Sequence, residues 1–270
     1  AHLGDPGIRI VESNEDPDLY AQGHVQGAIH LRWKADLQDA VRREWIAREA
    51  LEKLLGERGI GNADTIVLYG DKNNWFATYT FWLLTYYGIG NLKILNGGRQ
   101  KWVAEGRPLT TDVPRFPPQA FRAREPDPRV RAFRDEILRR LGTPGVALVD
   151  VRSPQEYRGE LIAPPAYPQE GAQRGGHIPS AHSVPWTQNV LEDGTFKPAG
   201  DLRALYEPKG ITPEAEVVAY CRIGERSSLT WFTLKYLLGY PNVKNYDGSW
   251  TEWGSLVAAP IERATEAVRA

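Results

Sequence analysis

The 270-residue chain repeats itself, and that repeat limits its fold more than any other feature. Gly70 and Cys221, Gly88 and Gly239, Gly97 and Gly248, and Trp102 and Trp253 each lie 151 positions apart, so 67–102 aligns with 218–253 without a gap. Upstream, the run from His24 to His30 matches His177 to Ser183 at an offset of 153, and Val11-Glu12 matches Val149-Asp150 at 138. The difference between those two offsets places fifteen extra residues in the second copy, between Asp150 and His177. They fall in 159–176, a stretch rich in proline and glycine that reads as a surface loop.

Each copy shows the same order of elements. A short apolar strand (8–11; 146–151) leads into a His-x-x-Gly/Ser-Ala turn and a second strand. A helix follows, 48–55 ending at Gly56 in the first copy and 202–206 in the second. Then come a β-branched strand (65–69; 216–220) and a long helix (75–87; 227–238) that stops at Gly88 or Gly239. A further strand (92–95; 243–246) and a short tryptophan-bearing helix close the unit. Strands alternating with helices predict an α/β fold, two tandem domains each with a largely parallel sheet flanked by helices. The expected limits are 1–107 and 129–270. The proline-rich 108–128 between them reads as a semi-rigid linker over the surface, with helix resuming near 131–141.

Composition excludes several classes of function. The net charge of −1 gives no bulk attraction to nucleic acid. No apolar run is long enough to span a bilayer. The first residues lack a signal-peptide core, and a lone cysteine suits a reducing compartment, so a cytoplasmic protein is expected. No cofactor or metal site is expected. The duplicated halves can bury each other's faces, which favours a monomer.

The chemistry is expected at Cys221-Arg222-Ile223-Gly224-Glu225-Arg226. A strand precedes it and a helix follows, so turn amides and a helix N-terminus face the sulfur. Arg222 and Arg226 add positive charge. These effects predict an electropositive, partly exposed thiol that ionises readily. Gly224 admits a backbone angle that other residues resist. Glu225 reads as a surface or loop-fixing acid. In the first copy the same turn is Gly70-Asp71-Lys72-Asn73-Asn74-Trp75, a scaffold without the nucleophile. His24 and His177 occupy equivalent places in both copies and read as scaffold. Ser153 before Pro154 reads as a helix cap.

The chain resembles the two-domain rhodaneses, the thiosulfate sulfurtransferase family. The resemblance rests on Val149-Asp150-Val151-Arg152, on Gly176 to Ala181, on the Cys-Arg-x-Gly loop at Cys221, and on Gly248-Ser249-Trp250-x-x-Trp253. It covers nearly the whole chain and implies two rhodanese-like domains, the second catalytic. It also implies a persulfide on Cys221 as the intermediate. The small sulfur donor would be thiosulfate, and the nucleophilic acceptor cyanide or a thiol. The substrate-binding set is then Arg222, Ile223, Gly224, Glu225 and Arg226, with Arg152 extending from its strand end. Arg226 is expected to hold the donor's oxygens in a two-pronged contact. The chain departs from the best-known animal rhodaneses at Ile223, where those carry lysine, and at Glu156, where they carry arginine.

Three other readings stand beside this one. Mercaptopyruvate sulfurtransferases have a less charged loop, so Arg222 and Arg226 favour a small dianion. Phosphatases of the same fold place five residues between cysteine and arginine. Here Ser227 holds that place and Arg226 comes one residue early, a tighter loop. A non-enzymatic interaction module would have no use for the intact charged loop.

Overall fold

The computed structural model describes residues 3–167 and 171–263. Two compact units divide it: the first is 1–127 with 192–195, the second 128–191 with 196–270. Among the described residues no helix is long and apolar enough to cross a membrane.

In the first unit, β1 (Ile8–Glu12) leads through α1 (Asp18–Gln22) to β2 (Ile29–His30). α2 (Arg48–Glu57), β3 (Thr65–Tyr69), α3 (Trp75–Tyr86), β4 (Leu92–Ile94) and α4 (Gly98–Ala104) follow. The strands form one sheet in the order β2-β1-β3-β4, and every pair is parallel. Parallel neighbours require crossovers, and the intervening helices supply them. α3 is apolar on every side, with nine consecutive buried residues from Phe76 to Leu84, as befits a helix enclosed by its unit.

The second unit adds a strand that sequence patterning does not reveal. β5 (Arg131–Ala132) precedes α5 (Arg134–Arg140), within the stretch expected to be helix from 131. Two residues carry no periodicity, and pairing with the outer strand is what makes them a strand. β6 (Val146–Asp150), α6 (Pro154–Arg158), β7 (His182–Ser183), α7 (Ala199–Tyr206), β8 (Glu216–Tyr220), α8 (Glu225–Phe232), β9 (Val243–Tyr246) and α9 (Ser249–Trp253) complete it. α8 runs on into a π-helical turn, Thr233–Leu237. The all-parallel order is β5-β9-β8-β6-β7, so β8 is central. Its Val217 to Tyr220 are buried without alternation, as expected for a strand covered on both faces. Leu148, Val218, Tyr220, Tyr246, Trp250 and Trp253 share its core.

Ser153 caps α6 through a capping box, its hydroxyl accepting from the Glu156 amide while the Glu156 carboxylate accepts from the Ser153 amide. The fifteen-residue expansion leaves from Gly159 and returns at Gly175 and Gly176. These glycines meet backbone to backbone: a Cβ on Gly159 would stand 2.9 Å from the Gly176 nitrogen. Residues 168–170 of the expansion lie outside the described residues.

Two expectations change in the first unit. α2 runs through Gly56 instead of stopping there, and the proline-rich 108–127 is fastened onto this unit. The Gln119 amide donates to the Gly56 carbonyl (2.9 Å), the Arg124 amide to that of Tyr87 (2.9 Å), and Phe121 is buried. The glycine serves this approach, for a Cβ at position 56 would stand 2.5 Å from the Gln119 carbonyl oxygen. Alanine normally improves a helix interior by about 1 kcal/mol over glycine. Gly56→Ala is nonetheless expected to destabilise, because the clash is with backbone and overpacking costs about 1–3 kcal/mol. A lowered urea midpoint checks this; a raised one would show that the strap yields.

Candidate active site

β8 ends at Tyr220, whose carbonyl accepts the last ladder bond from the Val151 amide (3.1 Å). Cys221 is the first residue beyond, at the carboxyl end of the central strand, where ligands of such sheets bind. Its carbonyl accepts from the Trp250 amide (3.0 Å), its amide donates to Ser249 Oγ (3.1 Å), and the Arg222 carbonyl accepts from the Thr251 amide (3.0 Å). Asn245 of β9 donates to the Gly224 carbonyl (2.9 Å). The turn is thus clamped from two sides. Gly224, at φ 93°, supplies the left-handed residue that turns the chain into α8.

Within the turn, the Gly224 amide donates to Cys221 Sγ (3.2 Å). The side chain of Glu225 folds back into the loop. Its Oε2 accepts from Sγ (3.0 Å) and from the Ile223 amide (3.1 Å). Its Oε1 accepts from Arg222 Nη2 (3.1 Å) and lies 3.5 Å from Arg226 Nε. Arg226 meets the Glu156 carboxylate of α6 with both terminal nitrogens (2.9 and 3.0 Å). The Arg222 guanidinium stacks 4.2 Å above the Tyr167 ring.

The structure brings Cys221, Arg222, Ile223, Gly224, Glu225 and Arg226 together and corrects what several of them do. Cys221 is 0% exposed, not partly exposed. Burial pushes its thiol up, the Glu225 charge adds to this, and Arg226 only partly offsets it, so the thiol is harder to ionise than a free cysteine. Glu225 is fully buried and fixes the loop; it is no surface acid. Burial pushes its carboxyl up, but Arg222, Arg226 and the Cys221 hydrogen bond outweigh that and hold it below the usual glutamate value. The two-pronged contact expected between Arg226 and a donor is made with Glu156 instead. Arg152 lies apart from the loop's hydrogen bonds. It is buried against Asp150 (2.6 Å), donates to the Gly176 carbonyl (2.6 Å) and stacks on Trp250 (4.3 Å), a structural ion pair.

His24 and His177 hold loops, each ring donating from Nδ1 to a main-chain carbonyl, of Tyr20 and Tyr157 respectively (both 2.8 Å). Ser227 is a residue that sequence reasoning missed. Its hydroxyl is buried, with no hydrogen-bond partner among the described residues, and its pull on the Cys221 thiol is outweighed by burial and by Glu225. The signal was present in its place immediately after Arg226 at the helix start. In the first unit a cavity of about 740 Å3 opens beside His30, Arg32 and Trp33, and none of the predicted site residues lines it.

A parallel sheet whose central strand ends in a cysteine, followed by a tight amide-bearing turn into a helix, is an α/β architecture with a nucleophilic residue type where ligands of such sheets bind. The matches narrow this. The model for the rhodanese-like domain matches residues 1–105 and again 133–256. The chain belongs to the rhodanese family, with two rhodanese-like domains. The sulfur carrier protein TtuD of Thermus thermophilus is 56% identical over 268 residues, covering 98% of this chain and 94% of that one. A protein of Saccharopolyspora erythraea named "Putative thiosulfate sulfurtransferase" is 53% identical, covering 98% and 94%. Among solved structures, EanB with a cysteine persulfide and ergothioneine superposes with a TM-score of 0.83 at 26% identity. That match covers 97% of this chain but only 66% of the EanB chain.

The buried pair yields a prediction with a defined sign. Burial pushes the Glu156 carboxyl up, but the Arg226 fork reverses this and leaves it below the ordinary value. A depressed folded pKa stabilises in full above the unfolded glutamate pKa of about 4.3 and is lost as pH falls through the folded one. Arg226→Ala is expected to cost about 3–5 kcal/mol at neutral pH by stranding the buried Glu156. The deficit should shrink as pH falls, first as the stranded Glu156 of the variant protonates and then as pH passes through the depressed pKa of the wild-type group. Denaturant midpoints across pH check both parts. A second outcome concerns the thiol: alkylation of wild-type Cys221 by iodoacetamide should be slow at neutral pH, with a midpoint above that of a free cysteine.

Proposed function

We propose that the chain moves the outer sulfur of thiosulfate to a nucleophilic acceptor through a persulfide on Cys221. The observation that carries this reading is the place of Sγ: at the end of the central strand, receiving the Gly224 amide at 3.2 Å inside a turn shorter than a phosphate-binding one. A persulfide puts its negative charge on the outer sulfur, one bond further into the loop. The Ile223 amide, given to Glu225 Oε2 (3.1 Å), is the turn amide such a charge would compete for. The loop's positive charges are already matched by Glu156 and Glu225, so an anionic donor must compete with Glu225 for them. That competition suits a compact dianion better than a keto acid.

Loading then follows nucleophilic catalysis. The thiolate attacks the outer sulfur, sulfite leaves, and the acceptor later attacks the persulfide. Cyanide is one acceptor. A thiol is the other, and the name of the Thermus relative, a sulfur carrier protein, supports onward delivery of the sulfur.

Incubation with thiosulfate followed by intact-mass measurement tests the reading. The wild type is expected to gain one sulfur atom, and Cys221→Ser to gain none while unfolding normally. Loading by mercaptopyruvate in preference to thiosulfate would transfer the assignment to the keto-acid donor. No mass gain with either would leave an interaction module. Phosphoester turnover that is lost on Cys221→Ser would replace sulfur transfer with phosphatase chemistry.

A further inference from the structure

The proton on Cys221 has to leave before the sulfur can attack, and the sulfur is buried. Cys221 and Glu225 are each 0% exposed. Among the described residues, the hydrogen bond that Sγ donates goes to Glu225 Oε2 at 3.0 Å. The carboxylate is also the counter-charge of the loop. It pairs with Arg222 (3.1 Å) on its own turn and with Arg226 (3.5 Å) on α8, and Glu156 of α6 stands beyond Arg226. Among the described residues, these three charges and the thiol are the titratable groups that its contacts bring together.

Loop support alone does not call for an acid here. Asn74 occupies the equivalent place in the first copy. Its Oδ1 accepts from the Gly70 amide (2.9 Å) and its Nδ2 donates to the Leu95 carbonyl (2.9 Å). In the second copy Ser249 makes both of these bonds, its Oγ accepting from the Cys221 amide (3.1 Å) and donating to the Tyr246 carbonyl (2.7 Å), so that support of the turn does not draw on Glu225. The carboxylate occurs in the copy that has a thiol to deprotonate.

We propose that Glu225 is the proton acceptor for Cys221: its carboxylate takes the Sγ–H proton as the donor binds, and the positive charge it had neutralised on Arg222 and Arg226 passes to the donor's oxygens. This inference rests on the sulfur-transfer reading above. In the loading step, Cys221–SH and ⁻S–SO3⁻ become Cys221–S–S⁻ and HSO3⁻. The Sγ–H bond breaks towards Glu225, and Sγ bonds to the donor's outer sulfur. The donor's S–S bond breaks with its electron pair on sulfite, and Glu225 returns the proton to the departing sulfite. No outside oxidant or reductant enters. The dianion is what drives the transfer, because negative charge beside a carboxylate raises its proton affinity.

The test is Glu225→Gln, which keeps the size and hydrogen-bonding shape but cannot take a proton. Two rates are read on the full chain: iodoacetamide alkylation of Cys221 at neutral pH, and persulfide formation by intact mass with thiosulfate and with mercaptopyruvate. The two are expected to move in opposite directions. Alkylation should quicken, since a negative neighbour is gone, while loading should slow by roughly a hundredfold or more, the scale of a lost general base. Loading that is unchanged or faster would overturn the proposal. Alkylation and loading falling together would also overturn it, reducing Glu225 to a prop. If Glu225→Gln does not fold, Glu225→Asp replaces it. That variant should keep alkylation slow and retain part of the loading rate, and alkylation as fast as in a free cysteine would count against the proposal. A wrong donor assignment would show separately, as a wild type that loads from mercaptopyruvate alone or from neither donor.

Discussion

Glu225 sits inside its own loop with a thiol, a backbone amide and two guanidinium groups in reach, all shielded from water. Burying one carboxylate in this way is possible only because its charge is matched on the spot. Arg222 and Arg226 supply that match, and Glu156 balances the surplus, so two cations and two anions enter the interior together. Each depends on the others, since removing one strands its partner in a medium that cannot solvate it. The thiol inherits the consequence. Its pocket holds strong positive charge, yet the nearest charge is negative, and the sulfur stays protonated at rest.

The two copies show how one scaffold tolerates different loops at the same strand end. The first copy threads Lys72, Asn73 and Asn74 through the left-handed region, a conformation that costs side chains with a Cβ. The second needs a left-handed residue only at Gly224. Its backbone is the more relaxed of the two, and its special features reside in side-chain charge. In both, the residue opening or preceding the long helix turns its side chain back into the turn.

Much of this was legible in the sequence. The spacing of Gly70 to Trp102 against Cys221 to Trp253 located both parallel sheets, because strands buried on both faces and helices closed by glycine leave strong local patterns. The cysteine at a strand end was equally plain. The state of that cysteine was not. Arg222, Glu225 and Arg226 beside it read as markers of solvent, whereas they are buried by pairing with one another and with Glu156, 70 positions earlier. No local pattern reports a partner at that distance. Arg152 shows the same limit: its reach towards a cleft was plausible from its strand end, but the Gly176 carbonyl and the Trp250 face that fix it come from remote segments. β5 escaped because a two-residue strand is defined by its neighbour alone.

The bond between Gln119 and Gly56 bears on where the first copy can be cut. A fragment stopped at 107, the limit the repeat suggests, would lose Phe121 from its interior and uncover the carbonyls of Gly56 and Tyr87. A piece that keeps these contacts has to run on towards Asp127, about twenty residues beyond the duplicated motif.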